Sequence, residues 1–128
     1  MVVDSSAFSA VLFGEDDAQR CLDALAAPER KFMSAVTRLE AGIVVEARKG
    51  AVGARALAQL LAETGTDVIP FDAGQAEIAL DAWRRFGKGR HSAGLNLGDC
   101  ASYALSKLMG EALLFKGDDF THTDVARV

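Results

Sequence analysis

Short apolar runs alternate with longer stretches of helical period along the whole chain, and this alternation restricts the fold more than any other feature. Met1–Val3, Lys31–Met33, Asp67–Ile69 and Ala112–Phe115 read as strands, each close to capping or turn residues. The last has no polar alternate, as expected of a strand covered on both faces. Helices are expected over Ser5–Phe13, Asp16–Ala26, Thr37–Lys49, Val52–Thr64, Ala73 to about Arg85, and Gly98–Met109. Their apolar residues recur at helical spacing, with Cys21, Leu22 and Leu25 in the second and Leu57, Leu60 and Leu61 in the fourth. A helix carries the chain back so that the next strand pairs in parallel. The expected fold is therefore α/β: a single domain over residues 1–128, with a short central parallel β-sheet flanked by helices in an α/β/α sandwich. A chain of 128 residues, half of them hydrophobic, buries a core of this kind without disulfides.

Boundary residues refine the reading. Thr37-Arg38-Leu39-Glu40 has the form of a capping box, although a helix starting as early as Ser34 would carry Glu40 deeper. Gly50 ends that helix, Asp72 caps the next but one, and Asn96 with Asp99 three residues on suits the start of the last. Phe86–Leu97, rich in glycine and without periodicity, is a loop. Lys116–Phe120 is a turn, and Thr123–Val125 is a short extension at the edge.

In parallel sheets ligands bind where strands end and helices begin, and this rule sorts the acidic residues. Asp4 closes the first strand, Glu40 lies in the first turns of the helix after the second, and Asp118 and Asp119 follow the last. Asp99 needs one further step. The helix before a parallel last strand runs the opposite way, so its start lies at the same edge. Phe86–Leu97 must then climb back to that edge, and its twelve residues can span at most about 40 Å. Each carboxylate also has a purely structural role open to it: helix cap, capping box or turn. Together, with no lysine or arginine placed beside them by the pattern, they call for protonation or a bound cation. Oxygen ligands completed by water suit Mg²⁺ or Mn²⁺, and a metal so held supports phosphodiester hydrolysis.

The net charge of -4 excludes a broad basic face for nucleic acid. One basic stretch, Trp83–His91, stands against it. Arg84 and Arg85 complement a helix C-terminus there, while Lys88 and Arg90, with Lys116 after the last strand, could contact a phosphate backbone. His91 and His122 lack zinc-ligand spacing, and Cys21 and Cys100 read as reduced core thiols. No apolar run is long enough to cross a bilayer, so a cytoplasmic protein is expected.

Met1–Ser6, Glu40 within Arg38–Ala41, the run Arg85–Cys100 and the segment Leu114–Phe120 together resemble PIN-domain proteins, most nearly the VapC toxins of prokaryotic toxin–antitoxin pairs. The resemblance spans essentially the whole chain. It implies a metal-dependent endoribonuclease that cleaves structured RNA, tRNA or rRNA, and arrests translation. It also implies a VapB-like antitoxin whose C-terminal segment occupies the active-site groove, and a homodimer. By position, Asp4 and Asp99 match the family's metal ligands and Glu40 its third acidic residue, with Asp118 as the fourth and Asp119 as its alternative. Two other classes share the parallel fold: a catalytically silent or phosphorelay receiver-like interaction module, and a metal-dependent small-molecule phosphatase. A receiver needs an aspartate to accept phosphate after a central strand, where Pro70-Phe71-Asp72 instead reads as a helix cap. A haloacid-dehalogenase-type phosphatase needs a second Asp where Ser6 stands.

Overall fold

The computed structural model describes all residues from Met1 to Val128. Four strands, β1 (Val2–Val3), β2 (Lys31–Ser34), β3 (Thr66–Ile69) and β4 (Leu113–Leu114), alternate with five helices. The helices are α1 (Ser5–Phe13), α2 (Ala18–Ala26), α3 (Ala35–Thr64), α4 (Ala73–Phe86) and α5 (Leu97–Met109). The strands form one parallel sheet in the order β3-β2-β1-β4, with Val2 opposite both Phe32 and Leu113, and Val3 opposite Leu114.

The two-residue period of the strands divides the core into two layers. Val3, Met33 and Leu114 face Phe8, Cys21, Leu25, Val45 and Leu57 of α1, α2 and α3. Val2, Phe32 and Leu113 face Ala82, Cys100, Tyr103 and Leu105 of α4 and α5. This is the expected α/β/α sandwich, and both cysteines are buried free thiols. No helix is long and apolar enough to cross a membrane.

The strand order decides where a ligand can sit. From β1 the chain moves to β2 and β3 on one side, then reaches β4 on the other, so the order reverses between β1 and β4. The crevice of an open parallel sheet lies at the carboxyl end of such a reversal.

Three local expectations change. The capping box at Thr37–Glu40 does not form, because Ser34 itself caps α3 by accepting from the Val36 amide at 3.3 Å. Glu40 therefore lies in the second turn, and Thr37 is free to turn inward. The loop after α4 is not a strap climbing the sheet: its ends are tied, Leu95 N–H to Phe86 O at 2.9 Å and Lys88 N–H to Leu95 O at 3.0 Å. The edge extension comes two residues later than expected, with Leu113 bridging Arg127. The break at Gly50 is as expected, since its φ of 61° and ψ of -153° interrupt α3 where an L side chain would be strained.

Candidate active site

Asp4 follows β1 directly and caps α1, so its backbone is held by both elements. Its Oδ2 accepts from the Ser6 amide at 3.0 Å and the Ser6 hydroxyl at 2.6 Å, and its Oδ1 accepts from the Ser102 hydroxyl at 2.6 Å. Only 2% of Asp4 is exposed. The Ser6 hydroxyl also accepts from the Lys116 amide at 3.1 Å, joining the end of β1 to the turn after β4.

Glu40 approaches from α3. The Ser5 hydroxyl donates to its Oε1, and its carboxylate lies against the backbone of Gly98, where an added Cβ would come within 2.1 Å of Oε2. Burial raises the Glu40 pKa against the opposing Ser5 hydrogen bond, and the charge of Asp4 raises it further.

Asp99 opens α5 in a capping box with Asn96: the Asp99 amide donates to Asn96 Oδ1 at 2.9 Å and the Asn96 amide to Asp99 Oδ2 at 3.0 Å. Burial pushes the Asp99 carboxyl up to about 7; the hydrogen bond from Asn96 opposes this, and the charges of Asp4, Asp119 and Glu40 add to it. Contacts tie three of these groups together: Ser5, next to Asp4, bonds Glu40, which packs on Gly98, next to Asp99. Of the turn after β4, Asp119 adds its charge to the burden on Asp99.

None of these carboxylates takes part in an ion pair. Repulsion between them is met only by hydroxyl and amide donors. As they stand, no three lie close enough to hold an ion. An all-oxygen donor set without a neutralising cation fits a hard divalent ion in its chemistry.

The basic candidates are placed differently. Lys116 Nζ is paired with Glu15, and the Arg90 guanidinium lies over the Trp83 ring at 4.8 Å while its Nε donates to Arg84 O. Lys88 lines an apolar cleft with Trp83 and Leu97. None of the three contacts the carboxylates. Ser5, Ser6, Thr37, Ser102 and Gly98 complete the site without having been singled out for it. For Ser102 a signal was present: a hydroxyl on the apolar face of α5, one turn beyond Asp99.

The PIN domain family matches residues 1–126. Ribonuclease VapC30 of Mycobacterium tuberculosis is 48% identical over 128 residues, covering 100% of this chain and 98% of that protein. Among solved structures, VapC20 of Mycobacterium tuberculosis, described as a sarcin-ricin loop cleaving toxin, aligns with a TM-score of 0.79 and 22% identity over 99% of this chain and 97% of that one. A chain of VapBC2 from Rickettsia felis, bound to a promoter DNA fragment, aligns with a TM-score of 0.74 and 12% identity over 98% and 94%. The two structures bear on the fold alone, whereas the family match and the full-length identity bear on membership: this chain belongs to the PIN-domain family and, within it, to the VapC ribonucleases.

Proposed function

We propose that this protein is a Mg²⁺- or Mn²⁺-dependent endoribonuclease, the toxin of a toxin–antitoxin pair, which cuts RNA and so inhibits translation. The observation that carries the reading is the chain of contacts that links Asp4, Glu40 and Asp99 through Ser5, Gly98 and Ser102, with no lysine or arginine paired to any of the three. The 48% identity to a named ribonuclease supports RNA as the substrate class. A bound divalent cation supplies phosphate polarisation and a water of lowered pKa. Asp4, Glu40 and Asp99 would hold it, with Asp118, or Asp119 as its alternative, as the fourth residue from the turn after β4.

The remaining roles belong to the chain itself. Ser5, Ser6 and Ser102 orient the carboxylates by donating to them. Lys88 and Arg90 lie on the exposed loop and can meet backbone phosphates, as can Lys116 by exchanging Glu15 for phosphate. A VapB-like antitoxin and a second copy of the chain are the proposed protein partners, the first on the strength of the 48% identity to a VapC ribonuclease. Leu39, Ile43 and Leu97, 64%, 62% and 83% exposed, form an apolar strip beside Glu40 that suits protein contact. Such a toxin works in the cytoplasm, where tRNA and rRNA are found. Nothing in the site favours a silent module or a receiver.

Purified protein incubated with tRNA and rRNA should cut in Mg²⁺ or Mn²⁺ and stop in EDTA. Intact RNA under every metal condition contradicts the reading, and cutting that persists in EDTA contradicts its metal dependence.

A further inference from the structure

Behind Asp4 lies a feature that the nuclease reading does not use. Thr37 of α3 and Ser102 of α5 are both 0% exposed. Their hydroxyl oxygens are 3.0 Å apart, and Ser102 Oγ is 2.6 Å from Asp4 Oδ1. A serine hydroxyl has one proton. Ser102 gives it to the carboxylate, because a buried carboxylate oxygen left without its donor is costly. Thr37 must then be the donor to Ser102, so the chain runs one way, from Thr37 to Ser102 to Asp4. Hydrogen bonds in such a series polarise one another, and low dielectric strengthens each.

We propose that Thr37 and Ser102 are positioning residues for the divalent cation, a buried hydroxyl relay that fixes the Asp4 carboxylate through Oδ1 while Ser6 fixes Oδ2. Neither residue touches substrate or cation. Three elements, β1, α3 and α5, are thereby locked to one ligand, with no lysine or arginine in the lock. The capping box that failed to form explains why the relay exists: with Ser34 capping α3, the Thr37 hydroxyl has no cap to make and points to Ser102. The proposal rests on the metal-dependent reading of the site.

The test is Mn²⁺ binding by calorimetry, with melting as a control for folding, on the full chain and on Ser102→Ala, Thr37→Val, Thr37→Ser and the Ser102→Ala/Thr37→Val double variant. Outer-shell partners of metal ligands typically account for roughly 10- to 100-fold in affinity. Ser102→Ala should weaken Mn²⁺ binding about 10-fold or more. Thr37→Val, which keeps the shape and removes the hydroxyl, should weaken it less, and Thr37→Ser should restore it. The double variant should bind no more weakly than Ser102→Ala, since Thr37 acts only through Ser102.

Unchanged affinity in Ser102→Ala overturns the relay, as does a double variant whose losses add. If Ser102→Ala does not fold, Thr37→Val decides: wild-type affinity there overturns the proposal. Wild-type protein that binds no Mn²⁺ removes the metal reading and the relay together. Wild-type protein that binds Mn²⁺ and leaves RNA intact removes only the nuclease reading, and the variants still decide the relay.

Discussion

Asp99 plays two parts with one side chain. Its Oδ2 completes the capping box of α5, and the charge on the same group is opposed by burial and by three neighbouring carboxylates. An aspartate in an unfolded chain titrates near 3.9, whereas here it is pushed up to about 7. Between those values the folded chain binds more protons than the unfolded one. Its stabilising contribution is therefore whole below about pH 4 and is lost as pH rises through about 7. In EDTA, Asp99→Asn should melt higher than wild type at pH 8, with the gap closing by pH 5; a lower melt at pH 8 contradicts this. A proton and a cation also compete for this carboxyl, so Mn²⁺ affinity should rise as pH climbs through 7. Gly98 offers a complementary test. A methyl there would collide first with the Glu40 carboxylate, the far end of a long side chain. Gly98→Ala should therefore cost RNA cleavage about 10-fold or more while the melting temperature changes little.

Among the elements, helix starts carry the site, and equivalent caps can be told apart by what they hold. Asn96 caps α5 and binds Asp99, whereas Asp72 caps α4 by accepting from the Gln75 amide at 2.9 Å, away from the carboxylates. Each cap lost to alanine should cost about 1 kcal/mol of stability. Asn96→Ala should also lower cleavage, and Asp72→Ala should leave it unchanged; circular-dichroism melts with cleavage rates separate the two. The sheet and its direction were legible because Val2-Val3, Phe32-Met33 and Leu113-Leu114 each send neighbouring apolar residues to opposite layers. The expectation that Asp4, Glu40 and Asp99 share one edge rested on chain direction alone. Contacts between residues distant in sequence did not. Thr37 and Ser102 are 65 residues apart, and the Thr37-x-x-Glu40 pattern favoured a cap that Ser34, one turn earlier, provides. The loop Phe86–Leu97 misled for a different reason. Length sets the reach of a loop but not whether its ends close, and here backbone bonds tie Phe86 to Leu95.

For the molecule as a whole, a net charge of -4 and an acidic site mean that cation binding and stability are linked. A ligand that binds only the folded state at 100 times its dissociation constant adds roughly 2.7 kcal/mol. Saturating Mn²⁺ should therefore raise the melting temperature by several degrees, and EDTA should reverse it. A melt indifferent to Mn²⁺ and Mg²⁺ contradicts a resident cation. The exposed strip of Leu39, Ile43 and Leu97 and the parallel sheet are compatible with several activities, so the test falls on the carboxylates. The most direct measurement is the RNA cleavage rate of Asp99→Asn in Mg²⁺ beside wild type, with folding confirmed by melting. A folded variant that has lost more than about 100-fold of the rate, beyond what an outer-shell partner supplies, is the expected result. A folded Asp99→Asn that cleaves RNA at the wild-type rate contradicts the assignment of this carboxylate to the metal site.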